Sequence, residues 1–337
     1  MIQVDQLATG LAEAIERRAA LLQRLHGCGT DCYRLLHGIA EGVPGVTLDR
    51  YGALLLLQTF REGLAAQIVD RLRDVACRAL ALDLPIVCNH RGTTLLPGFV
   101  EHEPVAAALA EQECHEAGVR FLVQARHRGQ DPWLFLDMRA GRALVRTLAA
   151  GKSVLNLFAY TGGVGLVAAM AGAARVLNVD FSQTALDVGT RNAKRNGIAP
   201  ERFTVLRSDC IPVLRQLAGL PVQRPGRQVP FPRVEVQSFD LIVLDPPRFA
   251  KGPFGTIDVV HDYQSLWKPC LLALADGGAV LATNHVAKVD AATWHEDLRR
   301  CADKAGRPLQ SLEPITLDED FPSFDGKPPL KVVLGRV

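Results

Sequence analysis

The stretch FDLIVLDPPRF, Phe239 to Phe249, limits the possible folds of this chain more than any other. Leu241, Ile242, Val243 and Leu244 form a short unbroken apolar run instead of an alternating one, the pattern of a strand covered on both faces, and such strands belong to parallel sheets. Asp245 ends the run. Pro246 and Pro247 follow, and because they lack N–H groups and fix φ, the chain can neither extend the ladder nor begin a helix there. The outcome is a stiff turn at the carboxyl rim of a sheet, where open α/β sheets place their ligands.

The surrounding sequence alternates in the same sense. SVLNLFAY, RVLNVD, FTVLRSD and AVLATN read as strands, separated by helical stretches at Gly163 to Gly172, SQTALDVGTRNAKRN, Tyr263 to Ala273 and Ala291 to Ala305. That order predicts an α/β fold, a Rossmann-like doubly wound parallel sheet with right-handed crossovers. LAGLPVQRPGRQVPFPRVEVQS, Leu217 to Ser238, carries four prolines and three arginines and reads as a surface excursion. Upstream, Leu11 to Leu25 and Leu64 to Leu82 have helical spacing and Tyr51 to Phe60 reads as a strand, which predicts a small α+β domain over residues 1–118. Val119 to Asp137 reads as a hairpin leading into a helix at Arg139 to Ala149, so the second domain is placed at residues 119–337.

The 337 residues, 48% hydrophobic, suffice for two cores and exclude disorder. A formal charge of +2 gives no global electrostatic case for nucleic acid, so any such case is local. Arg120, Arg126, Arg128, Arg139, Arg142, Arg146 and Lys152 face only Asp131 and Asp137 over one stretch, which is either a solvated helix face or a contact for RNA. The eight cysteines are scattered and the first ten residues hold no apolar core of a leader, so a reducing cytoplasm is expected. Cys28 and Cys32 form a C-x₃-C without a second pair, so no metal is expected. No apolar run approaches the roughly 20 residues that span a bilayer, so neither is a membrane.

The chemistry gathers at consecutive strand ends. NLFAYTGGVG, Asn156 to Gly165, is a turn of small residues opening a helix, where backbone can approach a ligand. It is not the G-x-G-x-x-G of a dinucleotide site. Asp180 closes the next strand, where a carboxylate accepts from ribose hydroxyls, and Asp209 the one after, facing an exocyclic amine of an adenine-like ring. Both acids also suit N-caps of the following helices. No Lys-Ser/Thr follows the first turn, so a nucleoside without phosphates fits better, a description that S-adenosylmethionine meets.

NLFAYTGGVG, Asp180, SDC at Ser208 to Cys210 and LDPPRF together resemble the motifs of class I S-adenosylmethionine methyltransferases. More narrowly, the chain is similar to the bacterial 23S ribosomal-RNA base methyltransferases of the RlmI and RlmK type. LFLDMR at Leu134 to Arg139 resembles their hairpin-to-helix signature, HGIAEGVPGVTLDRYG at His37 to Gly52 their central domain, and Asp320 to Pro322 with PLKVV their closing hairpin. The resemblance implies a cytoplasmic enzyme that uses S-adenosyl-L-methionine and acts on RNA, either 23S rRNA or a large-subunit precursor. It implies cofactor contacts at Phe158, Tyr160, Thr161, Gly162, Asp180, Phe181, Asp209, Cys210 and Asp245, with Arg139 either on the cofactor carboxylate or on the basic face. Asp245, Pro246, Pro247, Phe249 and Asn284 are the expected catalytic set. The N-terminal RNA-binding PUA domain of many members has no room in the roughly 33 residues before the central-domain motif.

One departure bears on the target atom. Cytosine-C5 members carry a cysteine nucleophile at the end of the strand that here reads AVLATNH, and this chain has Asn284 and His285. Carbon 5 of cytosine needs a thiolate at carbon 6 to become nucleophilic. Nitrogen 7 of guanine already holds an in-plane lone pair and needs only positioning, which can supply roughly 7 kcal/mol or more of the barrier. Methylation at a ring nitrogen is therefore expected over C5. Asp245 and the proline carbonyls would accept from base amino groups, Phe249 would stack on the base, and Asn284 would either meet the base edge or bond backbone. The alternatives are a methyltransferase of a small molecule or protein, and a catalytically silent RNA-binding assembly factor.

Overall fold

The computed structural model describes residues 4–92, 105–127, 131–222 and 230–337. The chain divides into two compact units, Met1–Asp137 with Leu317–Gly326, and Met138–Thr316 with Lys327–Val337.

In the first unit, α1 (Val4–Arg17), α2 (Ala19–Gly27) and α3 (Ala66–Leu80) accompany β1 (Cys32–Leu36), β2 (Val46–Tyr51), β3 (Leu54–Thr59) and β4 (Ile86–His90). These four strands form a sheet in sequence order, antiparallel except for the parallel β3–β4 pair. The helical spacing at Leu11 to Leu25 is realised as two helices broken at Arg18, whose buried guanidinium pairs with Glu41 at 2.7 Å. A short α4 (Val105–Leu109) precedes the hairpin β5 (Gln112–Glu116) and β6 (Val119–Val123). The predicted hairpin thus uses Val119 to Val123 as its second strand, not its first. Its expected partner, the run at Trp133 to Leu136, is irregular because it turns into a 3₁₀ turn at Leu136–Met138.

The second unit runs α5 (Arg139–Leu148), β7 (Ser153–Leu157), α6 (Gly163–Met170), β8 (Arg175–Asp180), α7 (Gln183–Arg195), β9 (Phe203–Arg207), α8 (Cys210–Leu217) and β10 (Phe239–Leu244). A small hairpin of β11 (Phe249–Gly252) and β12 (Gly255–Asp258) follows, then α9 (Gln264–Leu272), β13 (Leu274–Asn284), α10 (Ala291–Lys304), β14 (Ser311–Ile315) and β15 (Lys331–Arg336). Its seven-stranded sheet has the order β14-β15-β13-β10-β7-β8-β9. The five strands from β13 to β9 are parallel, whereas β15 runs antiparallel to both neighbours, so the sheet is mixed at one edge. Leu241 to Leu244 form an unbroken apolar run at its centre, buried from both sides beside Leu155 and Leu157 of β7, and Trp267 is the largest fully buried side chain of that core. The chain builds outward from β7 to β9 and then crosses back to β10. The carboxyl ends of β7 and β10 are therefore the topological switch point, where an open sheet leaves a crevice.

The basic stretch is a solvated face only in part, since Arg120 and Lys152 are exposed and Arg146 is half-buried. Arg139 is 5% and Arg142 2% exposed, packed within α5, and Arg126 donates to Asn89 Oδ1 and the Cys88 carbonyl, both at 3.0 Å. Arg128 lies outside the described residues. Among the described residues no helix is long and apolar enough to cross a membrane. Cys32 does have metal-ligand company, but in Asp31 and Cys114 and not in Cys28, with ligand atoms within 4.8 Å of one another. Hydrogen bonds already engage this group: Cys32 Sγ donates to the His115 carbonyl at 3.3 Å, and Asp31 accepts from His115 N–H at 2.6 Å.

Candidate functional site

The turn after β7 is held in an unusual backbone. Phe158 and Tyr160 have φ of 57° and 51°, left-handed values that cost a non-glycine residue about 1 kcal/mol or more, and Gly162 follows at 70°. Neighbouring strands impose the shape. Phe158 N–H donates to Cys210 Sγ at 3.3 Å, Ala159 N–H to the Val179 carbonyl at 3.0 Å, and Tyr160 N–H to Asp180 Oδ2 at 2.9 Å. Gly162 is required here because a β-carbon would stand 2.9 Å from the Phe203 ring. Thr161 is buried, with its carbonyl against Gly189.

Asp180 ends β8, and its other oxygen accepts from Ser182 N–H at 2.8 Å. Burial pushes this carboxyl up, opposed by the N–H groups of Ser182, Tyr160 and Phe181. The N-cap of α7 is Ser182, whose Oγ accepts from Ala185 N–H at 3.3 Å. At the end of β9, Asp209 caps α8 by accepting from Ile211 N–H at 2.9 Å through Oδ1, and burial raises its carboxyl too. Phe181 stands 71% exposed beside Asp180. Cys210 is buried, donates to the Val179 carbonyl at 3.4 Å, and has its thiol pushed well up by burial.

On the other side of the switch point, Asp245 Oδ1 accepts from the Thr283 hydroxyl. His285 Nε2 donates to the Pro246 carbonyl at 2.6 Å, the tautomer this acceptor requires, and Nδ1 lies 3.9 Å from Asp245 Oδ1. Pro247 follows in the same turn, and Phe249, 53% exposed, opens β11. Asn284 is not presented to this crevice. Fully buried, it donates to the Val259 carbonyl and accepts from Val286 N–H, both at 3.0 Å, because a strand-end amide with no access to solvent satisfies the nearest backbone. Arg139 is buried in the first turn of α5. Sequence reasoning passed over Thr283. The β10–β13 register, Leu244 beside Ala282, sets it against Asp245, and no local sequence signal reports a register.

Residues 34–336 match the sequence pattern of a family described as S-adenosylmethionine-dependent methyltransferase. The chain is 31% identical over 329 residues to ribosomal RNA large subunit methyltransferase I of Aeromonas salmonicida, covering 95% of this chain and 77% of that protein. The chain belongs to the S-adenosylmethionine-dependent methyltransferase family. The protein of the same name from Escherichia coli O157:H7 is 29% identical over 87% of this methyltransferase and 71% of its own length. Among solved structures, SMU.776, a methyltransferase complexed with SAH, superposes with a TM-score of 0.80 at 22% identity, covering all of this chain and 82% of that one. A SAM-dependent methyltransferase from Agrobacterium tumefaciens gives 0.60 at 20% identity, covering 87% of each. The residues at the switch point fit the family's cofactor. This methyltransferase offers a buried carboxylate at the end of β8 in Asp180 and a carboxylate oxygen of Asp209 without a hydrogen-bond partner among the described residues.

Proposed function

We propose that this methyltransferase acts on a base of ribosomal RNA at a ring nitrogen of the guanine-N7 kind. Asp180 and the left-handed turn at Phe158 to Gly162 bind the nucleoside of the cofactor, with Asp209 on its adenine side and Phe181 at the rim. S-adenosylmethionine supplies a methyl group on a sulfonium, which any well-aimed lone pair can accept. The work left to the protein is positioning. Asp245 Oδ2, left open while Thr283 engages Oδ1, accepts from a base amino group, as does the Pro247 carbonyl, and Phe249 gives the base an aromatic surface. His285 stiffens the turn by donating to Pro246.

The observation carrying the choice of atom is the end of β13. Thr283, Asn284 and His285 stand there, and the second unit's cysteines, Cys210, Cys270 and Cys301, lie in α8, α9 and α10. Burial raises the Cys210 and Cys270 thiols, the reverse of what a nucleophilic thiolate needs. The relatives named for the large-subunit ribosomal RNA support the substrate class. The test is methyl transfer to ribosomal RNA from cells lacking the gene, followed by mass spectrometry of the digested nucleosides. We expect 7-methylguanosine. Finding 5-methylcytidine would overturn the assignment of the atom, and transfer only to protein or metabolites would overturn that of the substrate.

A further inference from the structure

The β11–β12 hairpin begins at the Asp-Pro-Pro turn but does not stay there. A β-carbon built on Gly252, at the end of β11, would stand 2.6 Å from Asp209 Oδ2, and one on Gly255 would meet the Ile211 side chain at 3.6 Å. The hairpin therefore reaches from the transfer corner to the start of α8. There it lies on the carboxylate oxygen that Asp209 does not spend on capping.

The position is braced from outside. Phe254, in the turn between the two strands, packs edge-on against Phe231 with ring centroids 5.3 Å apart and planes at 84°. Phe231 belongs to the proline-rich excursion after α8, and Gln216 of that helix fastens the excursion. Its Nε2 donates to the Pro232 carbonyl at 3.0 Å, and its Oε1 accepts from Val234 N–H at 3.3 Å. One helix thus carries Asp209 at its first turn and, near its other end, the anchor of the segment that supports the hairpin tip. Edge-to-face aromatic pairs and paired amide bonds of this kind are geometrically selective.

We propose that the hairpin roofs the adenine end of the cofactor crevice, and that Gly252 is a specificity-determining residue for the 6-amino group of the cofactor. Any side chain at 252 has to displace the Asp209 carboxylate or lift the hairpin from it. That carboxylate is tethered through Oδ1 to Ile211 N–H, so it cannot yield without losing either the cap or its aim. The bare glycine backbone lets the roof close to van der Waals distance and leaves Oδ2 as the acceptor that separates an amino group from a carbonyl at the same ring position. A site built to accept a hydrogen bond rejects an analogue that cannot donate one, because the buried oxygen is left unpaired. The proposal rests on the cofactor assignment of Asp209 and is independent of which substrate is methylated.

The test needs no RNA. Titration calorimetry compares S-adenosylhomocysteine with S-inosylhomocysteine, which carries a 6-oxo group. The unmodified protein is expected to bind the inosyl compound at least tenfold more weakly; equal binding overturns the proposal whatever the variants do. Gly252→Ala is expected to weaken S-adenosylhomocysteine about tenfold, narrow the discrimination and leave the thermal midpoint unchanged. In an Asp209→Ala background the same substitution should add almost nothing, since both changes act through one contact. Additive losses, or a Gly252→Ala protein that binds and discriminates normally, would place Gly252 outside the adenine site. If RNA methylation fails while this pattern holds, only the substrate reading falls.

Discussion

At Asp180 burial and hydrogen bonding oppose each other, and burial is the larger, so the folded carboxyl titrates above the ordinary aspartate value. For an acid, a raised folded value means that its contribution to stability is present below the unfolded value and is lost as pH rises through the folded one. Ribose hydroxyls donate more strongly to the ionised form. Cofactor affinity should therefore fall on acidification at a higher pH than an exposed aspartate would dictate, and calorimetry with S-adenosylhomocysteine from about pH 7 to pH 4 measures this. Asp180→Asn should abolish that step and weaken binding by about ten- to a hundredfold, the worth of a hydrogen bond to a charged group. His37 in the first unit has the opposite sign. Burial, with Arg34 adding to it, lowers its value to about 4, so stability present above the unfolded histidine value is lost as pH falls toward 4. His37→Gln should flatten that part of the acid-unfolding curve. Asn284 carries stability: Asn284→Ala leaves two buried backbone groups unpaired and should cost about 1–3 kcal/mol in denaturant unfolding. A variant of unchanged stability would show that the amide is free for a ligand.

Helix α6 is buried on nearly all sides, which explains its apolar sequence and the glycines within it. At Gly165 a β-carbon would stand 2.1 Å from Asn178 Oδ1, which already accepts from Asn156 Nδ2 at 2.9 Å. Gly165→Ala has to break that buried amide pair or push α6 off β8. The expected cost is about 1–3 kcal/mol in a urea titration, as for other overpacked cores. In α5, Arg139 and Arg142 of the basic stretch are buried in the packing, while Arg146 is half-buried. Arg142→Glu should therefore prevent folding, seen as loss of soluble protein, whereas Arg120→Glu, on the exposed position of β6, should leave the circular dichroism unchanged. Soluble, folded Arg142→Glu protein with weakened RNA binding would restore the basic-face reading.

Across the whole molecule, the chain crosses between its two units more than once. Leu317–Gly326 belongs to the first unit, although β14 and β15, on either side of it, belong to the sheet of the second. Within the first unit, Asp320 Oδ2 accepts from Arg34 N–H at 3.0 Å, and the Phe321 ring lies 4.7 Å from the Arg34 guanidinium, itself paired with Asp49. Asp320 is fully buried, so Asp320→Ala should destabilise the first unit by about 1–3 kcal/mol, measured by the same urea titration.

The parallel part of the sheet and the acids at its strand ends were legible in sequence because a strand buried on both faces is mostly apolar, and a rim acid breaks that run. Leu241 to Leu244 followed by Asp245, and Val179 followed by Asp180, state this locally. The orientation of Asn284, the approach of Thr283 to Asp245 and the placing of Gly252 over Asp209 were not legible. Each depends on the register between strands far apart in sequence, or on a hairpin folding back over a helix, and side-chain type carries no record of either. Sequence therefore determined the sheet and the acids along its carboxyl edge, while tertiary packing decided which of those polar groups are spent on the fold and which remain open to a ligand.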